Sequence, residues 1–133
     1  MKEPYANLDD LARLGLKRLA TAGITDVDLT AALVAASETA DSYMRAQLRL
    51  PLVSWGADLR RHVAMLAAWD ILSAQRGFNP DSPGNDVWLA RYDQAMAWFK
   101  DVSRGLVAPN VVDSTPITRD GAPRVATSPR RGW

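Results

Sequence analysis

The chain has 133 residues, enough for one domain with a single core. Its formal net charge of +1 excludes electrostatic attraction of the whole molecule to nucleic acid. It has no cysteine, which excludes disulfide frameworks, thiolate nucleophiles and cysteine metal sites together. No apolar h-region follows Met1, so no signal peptide is expected, and no apolar run is long enough to suggest a membrane span.

The first predicted element is short. Asn7 is positioned to cap a turn from Leu8 to Leu14, with Asp10 as its reciprocal partner. Gly15 interrupts it, and a second short turn is expected from Leu16 to Thr21, ending near Gly23. The first long helix is predicted over residues 28–49. Leu29, Leu33, Ala36, Ala40, Tyr43, Met44 and Leu48 form one apolar stripe, Asp26 or Asp28 is the expected cap, and Pro51 is the expected stop. The second is predicted over residues 56–76, with Leu59, Val63, Leu66, Trp69 and Leu72 on one face and Gly77 at its end. The prolines and glycine of residues 78–84 mark a loop. The third long helix is predicted over residues 86–104, capped by Asn85 or Asp86 and followed by Gly105 as a C′ glycine.

After Gly105 the character changes. Residues 106–133 hold Pro109, Pro116, Pro123 and Pro129, each of which resists helix. Only Val111-Val112 and Ile117 are candidates for a short strand. Arg119, Arg124, Arg130 and Arg131 outnumber Asp113 and Asp120, so this tail carries a net charge of +2. The expected fold is therefore all-α: a small bundle of about three long helices plus short N-terminal helices (1–105), followed by an extended basic tail (106–133). The tail is expected to be disordered in a free monomer and to order on a partner.

Catalytic chemistry finds little support. His62 is the only histidine, so no histidine metal cluster can form, and a surface or packing role is expected for it. Glu38 and Asp41 lie three residues apart on one helix face, and Arg91 is the expected partner of one of them in a structural ion pair. No nucleophile elbow, Walker loop, dinucleotide fingerprint or calcium loop is present. No enzyme activity, metal or cofactor is expected. Trp69, Trp88 and Trp98 fall in helices. Trp88 lies on the apolar stripe, and Trp98 lies just off it, next to Phe99, where it would serve an interface. Trp133, beside Arg130 and Arg131, is a candidate anchor on a partner, since Trp and Arg favour interface hot spots.

Four stretches carry a family resemblance. Tyr5-Ala6-Asn7-Leu8-Asp9-Asp10-Leu11 resembles a Tyr-Ala-Thr-x-x-Asp-Leu opening, with Asn7 in place of the hydroxyl residue. Residues 36–44, around Glu38, Asp41, Ser42 and Tyr43, resemble a helix written Ala-x-x-Glu-Ile-Asp-Ser-Tyr-Leu. Leu50-Pro51-Leu52 resembles the Leu-Pro-Leu exit of that helix. Arg91-Tyr92 through Gly105 resembles Arg-Tyr-x-x-Ala-x-x-x-Leu ending in glycine. Together these resemble a Mu-like phage and prophage family, long catalogued as a domain of unknown function, which is similar to head–tail connector (adaptor) proteins. The resemblance covers residues 5–105 in order.

The resemblance implies a structural protein of the virion neck, made in the bacterial cytoplasm. It implies a homo-oligomeric ring, a dodecamer, docked on the portal protein above and a tail or stopper protein below, with DNA passing through the lumen and no membrane. Arg119, Arg124, Arg130, Arg131 and Trp133 are then the candidate contacts with the portal or a neighbouring subunit. The alternative is a DNA-packaging accessory or small nucleic-acid-binding protein, which would show a gel shift that collapses with added salt.

Overall fold

In a computed structural model of the chain, the described residues are 3–16, 24–75, 78–79 and 81–116. They form four helices and one two-stranded ribbon. The fold is small and all-α, as the periodicity implied.

Helix α1 (Leu8–Arg13) starts at a capping box: Asn7 accepts from the Asp10 backbone N–H, and Asp10 accepts in return from the Asn7 N–H. Gly15, at φ +97°, breaks it as expected. The second short turn, from Leu16 to Thr21, lies almost wholly outside the described residues.

Helix α2 (Asp26–Met44) is capped by Thr25, whose hydroxyl accepts from the Asp28 N–H. Asp26 and Asp28 therefore sit in the first turn, where they complement the helix dipole instead of capping it. The helix also ends earlier than Pro51. Gln47 and Leu48 both donate to the Met44 carbonyl, and this tight turn lets Leu48 and Leu50 pack back on the core. Proline sets only an outer limit.

Helix α3 (Ala57–Ser73) follows strand β1 (Ser54–Trp55) and is buried along most of its length, from Val63 to Ala68 without a break. It stops three residues short of the expected Arg76, and Gly77 lies outside the described residues. Helix α4 (Asn85–Ser103) starts at Gly84, which has φ +91° and offers no side-chain cap. Asn85 is not the cap: its side chain donates to the Asn79 carbonyl and holds the preceding loop. Gly105, at φ +78°, ends the helix as a C′ glycine.

Aromatic contacts set the register of the bundle. Tyr43 of α2 stacks on Phe99 of α4, and Gln47 reaches the Ser103 carbonyl, so α2 and α4 run parallel. His62 meets Trp98 and Trp69 meets Tyr92, so α3 runs antiparallel to α4. The shared core is built on Leu33, Met44, Leu59, Val63, Met65, Phe99 and Val102.

Strand β2 (Val111–Val112) pairs antiparallel with β1, Ser54 opposite Val112 and Trp55 opposite Val111. The strand expected at these two valines is present. Its consequence differs from the expected boundary: the tail does not leave the body at Gly105. Pro109 and Val111 are buried, so the stretch up to Pro116 is laid against the bundle.

Candidate interaction surface

The N-terminal segment is bolted to α2 by buried polar contacts. The Tyr5 backbone N–H donates to the Ser37 hydroxyl at 2.9 Å, and that hydroxyl donates to the Leu33 carbonyl. The Tyr5 hydroxyl donates to Asp41. Burial, and then the Asp41 carboxylate, push the Tyr5 hydroxyl well above the usual tyrosine pKa. Trp55 closes the lock: its indole N–H donates to the Tyr5 carbonyl at 3.0 Å, and the two rings meet edge to face.

The root of the tail is held by Asp58. One of its oxygens accepts the Leu59 N–H at the start of α3, and the other accepts the Asn110 N–H at 2.8 Å. Gly56 donates to the Asn110 carbonyl, and a Cβ there would lie 2.7 Å from the Asn110 side chain. A larger residue there would have to displace the Asn110 side chain. Further along, Asp113 accepts the Arg49 and Thr115 backbone N–H groups, and Ser114 donates to the Pro51 carbonyl. Partial burial raises the Asp113 pKa, but these hydrogen bonds and the Arg49 charge outweigh it and hold the carboxyl below its usual range.

His62 has the packing role expected of it. Its ring lies flat on Trp98, with centroids 4.1 Å apart, and meets Phe99 edge to face. Its Nδ1 lies 2.7 Å from the Asp58 carbonyl, a hydrogen bond if the proton is on Nδ1. Trp98 is therefore half-buried against α3 and is not the exposed interface residue the sequence suggested, because the imidazole covers its face.

Burial lowers the His62 pKa, and Arg61 adds to this, against weaker opposing effects from Asp58. The unfolded chain thus binds a proton at this ring more readily than the folded one. Stability should fall as pH drops through the ordinary histidine value of 6.5, and His62→Phe should flatten that dependence. Thermal melts of both proteins between about pH 7.5 and 5 measure this. Identical pH profiles would contradict the assignment.

The predicted ion pair is replaced by other contacts. Asp41 is buried under the Tyr5 hydroxyl, and Glu38 is exposed on α2. Arg91 donates to the Leu14 carbonyl at 2.6 Å and lies 4.8 Å from the centre of the Trp88 ring. It ties α1 to α4, 77 residues apart in sequence, instead of pairing with α2. Arg119, Arg124, Arg130, Arg131 and Trp133, and the candidate strand residue Ile117, lie outside the described residues.

One feature carried no signal in the sequence. A cleft of about 450 Å³ opens between α1 and the start of α3, with Arg13, Arg60 and Arg61 around Leu14, Trp55 and Gly56. Asp10 lies in its wall, with a carboxylate oxygen engaged by the Asn7 N–H. The three arginines are far apart or merely adjacent in the chain, and only the docking of α1 on α3 gathers them. Among the described residues no group of His, Cys, Asp or Glu is arranged to hold a metal ion. No helix among them is long and apolar enough to cross a membrane.

Tyr5, Asp41, Asp58 and Asp113 are thus occupied in holding segments together. No curated protein matches the chain in sequence. The family described as Bacteriophage Mu, Gp36 matches residues 5–127, which takes in the N-terminal lock, the bundle, the docked root of the tail and most of the tail beyond it. The chain therefore belongs to the bacteriophage Mu Gp36 family.

Proposed function

We propose that the protein is a structural head–tail connector of a tailed phage or phage-like particle. It forms a ring below the portal, with a tail or stopper protein beneath it and DNA passing through the lumen. The observation that carries this is the family match across nearly the whole chain, body and tail together. The fold supports it. Tyr5, Asp10, Asp41, Asp58 and Asp113 are all used as internal ties, which suits a rigid building block without catalysis or cofactor. Arginine and tryptophan in the tail are residue types suited to gripping a partner.

The structure moves the useful truncation point. Residues 107–116 are part of the folded body, so the docking arm begins after Pro116. A protein ending at Pro116 should keep the helical circular dichroism and melting temperature of the full chain. It should lose co-sedimentation with the cognate portal by at least about tenfold in affinity, as expected when interface hot spots are removed. A truncated protein that still joins the portal complex would sink the role of the tail.

A further inference from the structure

We propose that the arginine cleft at one end of the bundle receives the carboxylate-rich opposite end of a second copy, joining neighbours head to tail. This deepens the ring reading and rests on it only for closure of the ring.

The helix register places the charges. The C-terminal ends of α2 and α4 and the N-terminal end of α3 lie together, so Arg45, Arg49, Lys100 and Arg104 are exposed toward the same end of the bundle as the cleft arginines Arg60 and Arg61. The carboxylates at this end are Asp101, half-buried in the last turn of α4, and Asp58 and Asp113, which each accept two backbone N–H groups. The other end of the bundle lies about 28 Å away, the length of a 19-residue helix. It exposes Asp28, Asp70, Asp81 and Asp86. Arg91, more than one turn inward from Asp86, is bonded to the Leu14 carbonyl.

Helix stability explains part of this pattern: Asp28 and Asp86 in the first turns of α2 and α4, and Lys100 in the last turn of α4, complement their helix dipoles. Arg60 and Arg61 sit in the opening turns of α3 and Asp70 in its last turn, and each sign opposes the α3 dipole. Asp81 lies in a loop. Arg60, Arg61, Asp70 and Asp81, which helix dipoles do not account for, are explained by a contact between molecules. Apolar side chains accompany both ends: Val27 and Val87 with the carboxylates, Val53, Leu106 and Val112 with the arginines. A two-fold dimer through the cleft would bring like charges together. An acid-to-base contact joins two different faces, the heterologous geometry from which rings are built. Clustered pairs that lose water at such a contact are stronger than lone surface pairs.

The test is sedimentation velocity of the full chain at low and high salt. The expected result is assemblies larger than the monomer that weaken as salt rises. Arg60→Glu/Arg61→Glu and, separately, Asp81→Lys/Asp86→Lys should each weaken association by at least about tenfold while keeping the helical circular dichroism of the parent. Mixing the two reversed proteins should restore association, since each then offers the face the other lacks. Arg60→Lys/Arg61→Lys should associate like the parent. A parent that stays monomeric, reversals that assemble normally, or a mixture that stays apart would each overturn the proposal, as would an arginine cleft that binds duplex DNA without mediating self-association. Rings that tolerate both reversals overturn this contact and leave the connector reading standing. Charge-sensitive oligomers that never dock on a portal do the reverse.

Discussion

Phe99→Ala should lower stability by about 3–5 kcal/mol, the usual cost of emptying a phenylalanine site in a packed core. Phe99 has no exposed surface, and it stands where α2, α3 and α4 meet. Its ring stacks with Tyr43 of α2 at 6.3 Å and meets the edges of His62 at 6.3 Å and Trp98 at 5.1 Å. Removing it leaves a void that none of these large rings fills without giving up its own contact. For a domain of this size the loss corresponds to a drop of roughly 10–15 °C in melting temperature. Leu89→Ala, at a 38% exposed site of the same helix, is the control and should shift the melt by only a few degrees. Similar melts for the two variants would contradict the placement of Phe99 at the three-helix junction.

The second large effect is at the N-terminus. Tyr5→Ala removes a side chain only 3% exposed, its edge-to-face contact with Trp55 and its bond to Asp41, and should also cost about 3–5 kcal/mol. Tyr5→Phe keeps the ring and removes the hydroxyl alone, so its cost should be about 1–3 kcal/mol. The pH dependence comes from the raised pKa. The folded state favours the neutral hydroxyl, so its stability is fully present below pH 10 and is lost as pH rises above that value. Denaturant melts of parent and Tyr5→Phe at neutral and alkaline pH separate these effects. A Tyr5→Phe variant with the same alkaline loss as the parent would show that Tyr5 is not the group responsible.

Much of the fold was legible because it rests on local chemistry. The capping box needs only Asn7 and Asp10, three residues apart. Helix α4 comes from a repeating stripe and a terminal glycine, and β2 from two adjacent valines among prolines. Errors arose where a local signal bounds an element without setting its end. Pro51 forbids helix before it, yet α2 stops at Met44 because the chain turns there to pack Leu48 and Leu50. Thr25 outcompeted the nearby aspartates as the cap of α2.

The interaction surface was less legible, because its contacts are chosen over long separations. Asp41 could have met any donor on a neighbouring segment, and it meets Tyr5, 36 residues away. Arg91 looked like the partner of a carboxylate, but the docking of α1 placed the Leu14 carbonyl within its reach. The cleft exists only because α1 brings Arg13 beside Arg60 and Arg61. No spacing in the chain announces such a meeting. The family resemblance was readable because its motifs fall on elements that fold in order, from the Tyr5 lock through the Glu38–Tyr43 turns to Gly105, and the family match covers them all.

The connector role is tested most directly by electron microscopy of purified portal rings incubated with the full chain. The predicted result is a second closed ring seated coaxially on the portal, with an open channel through both. Portals that stay bare in an excess of folded protein would contradict it.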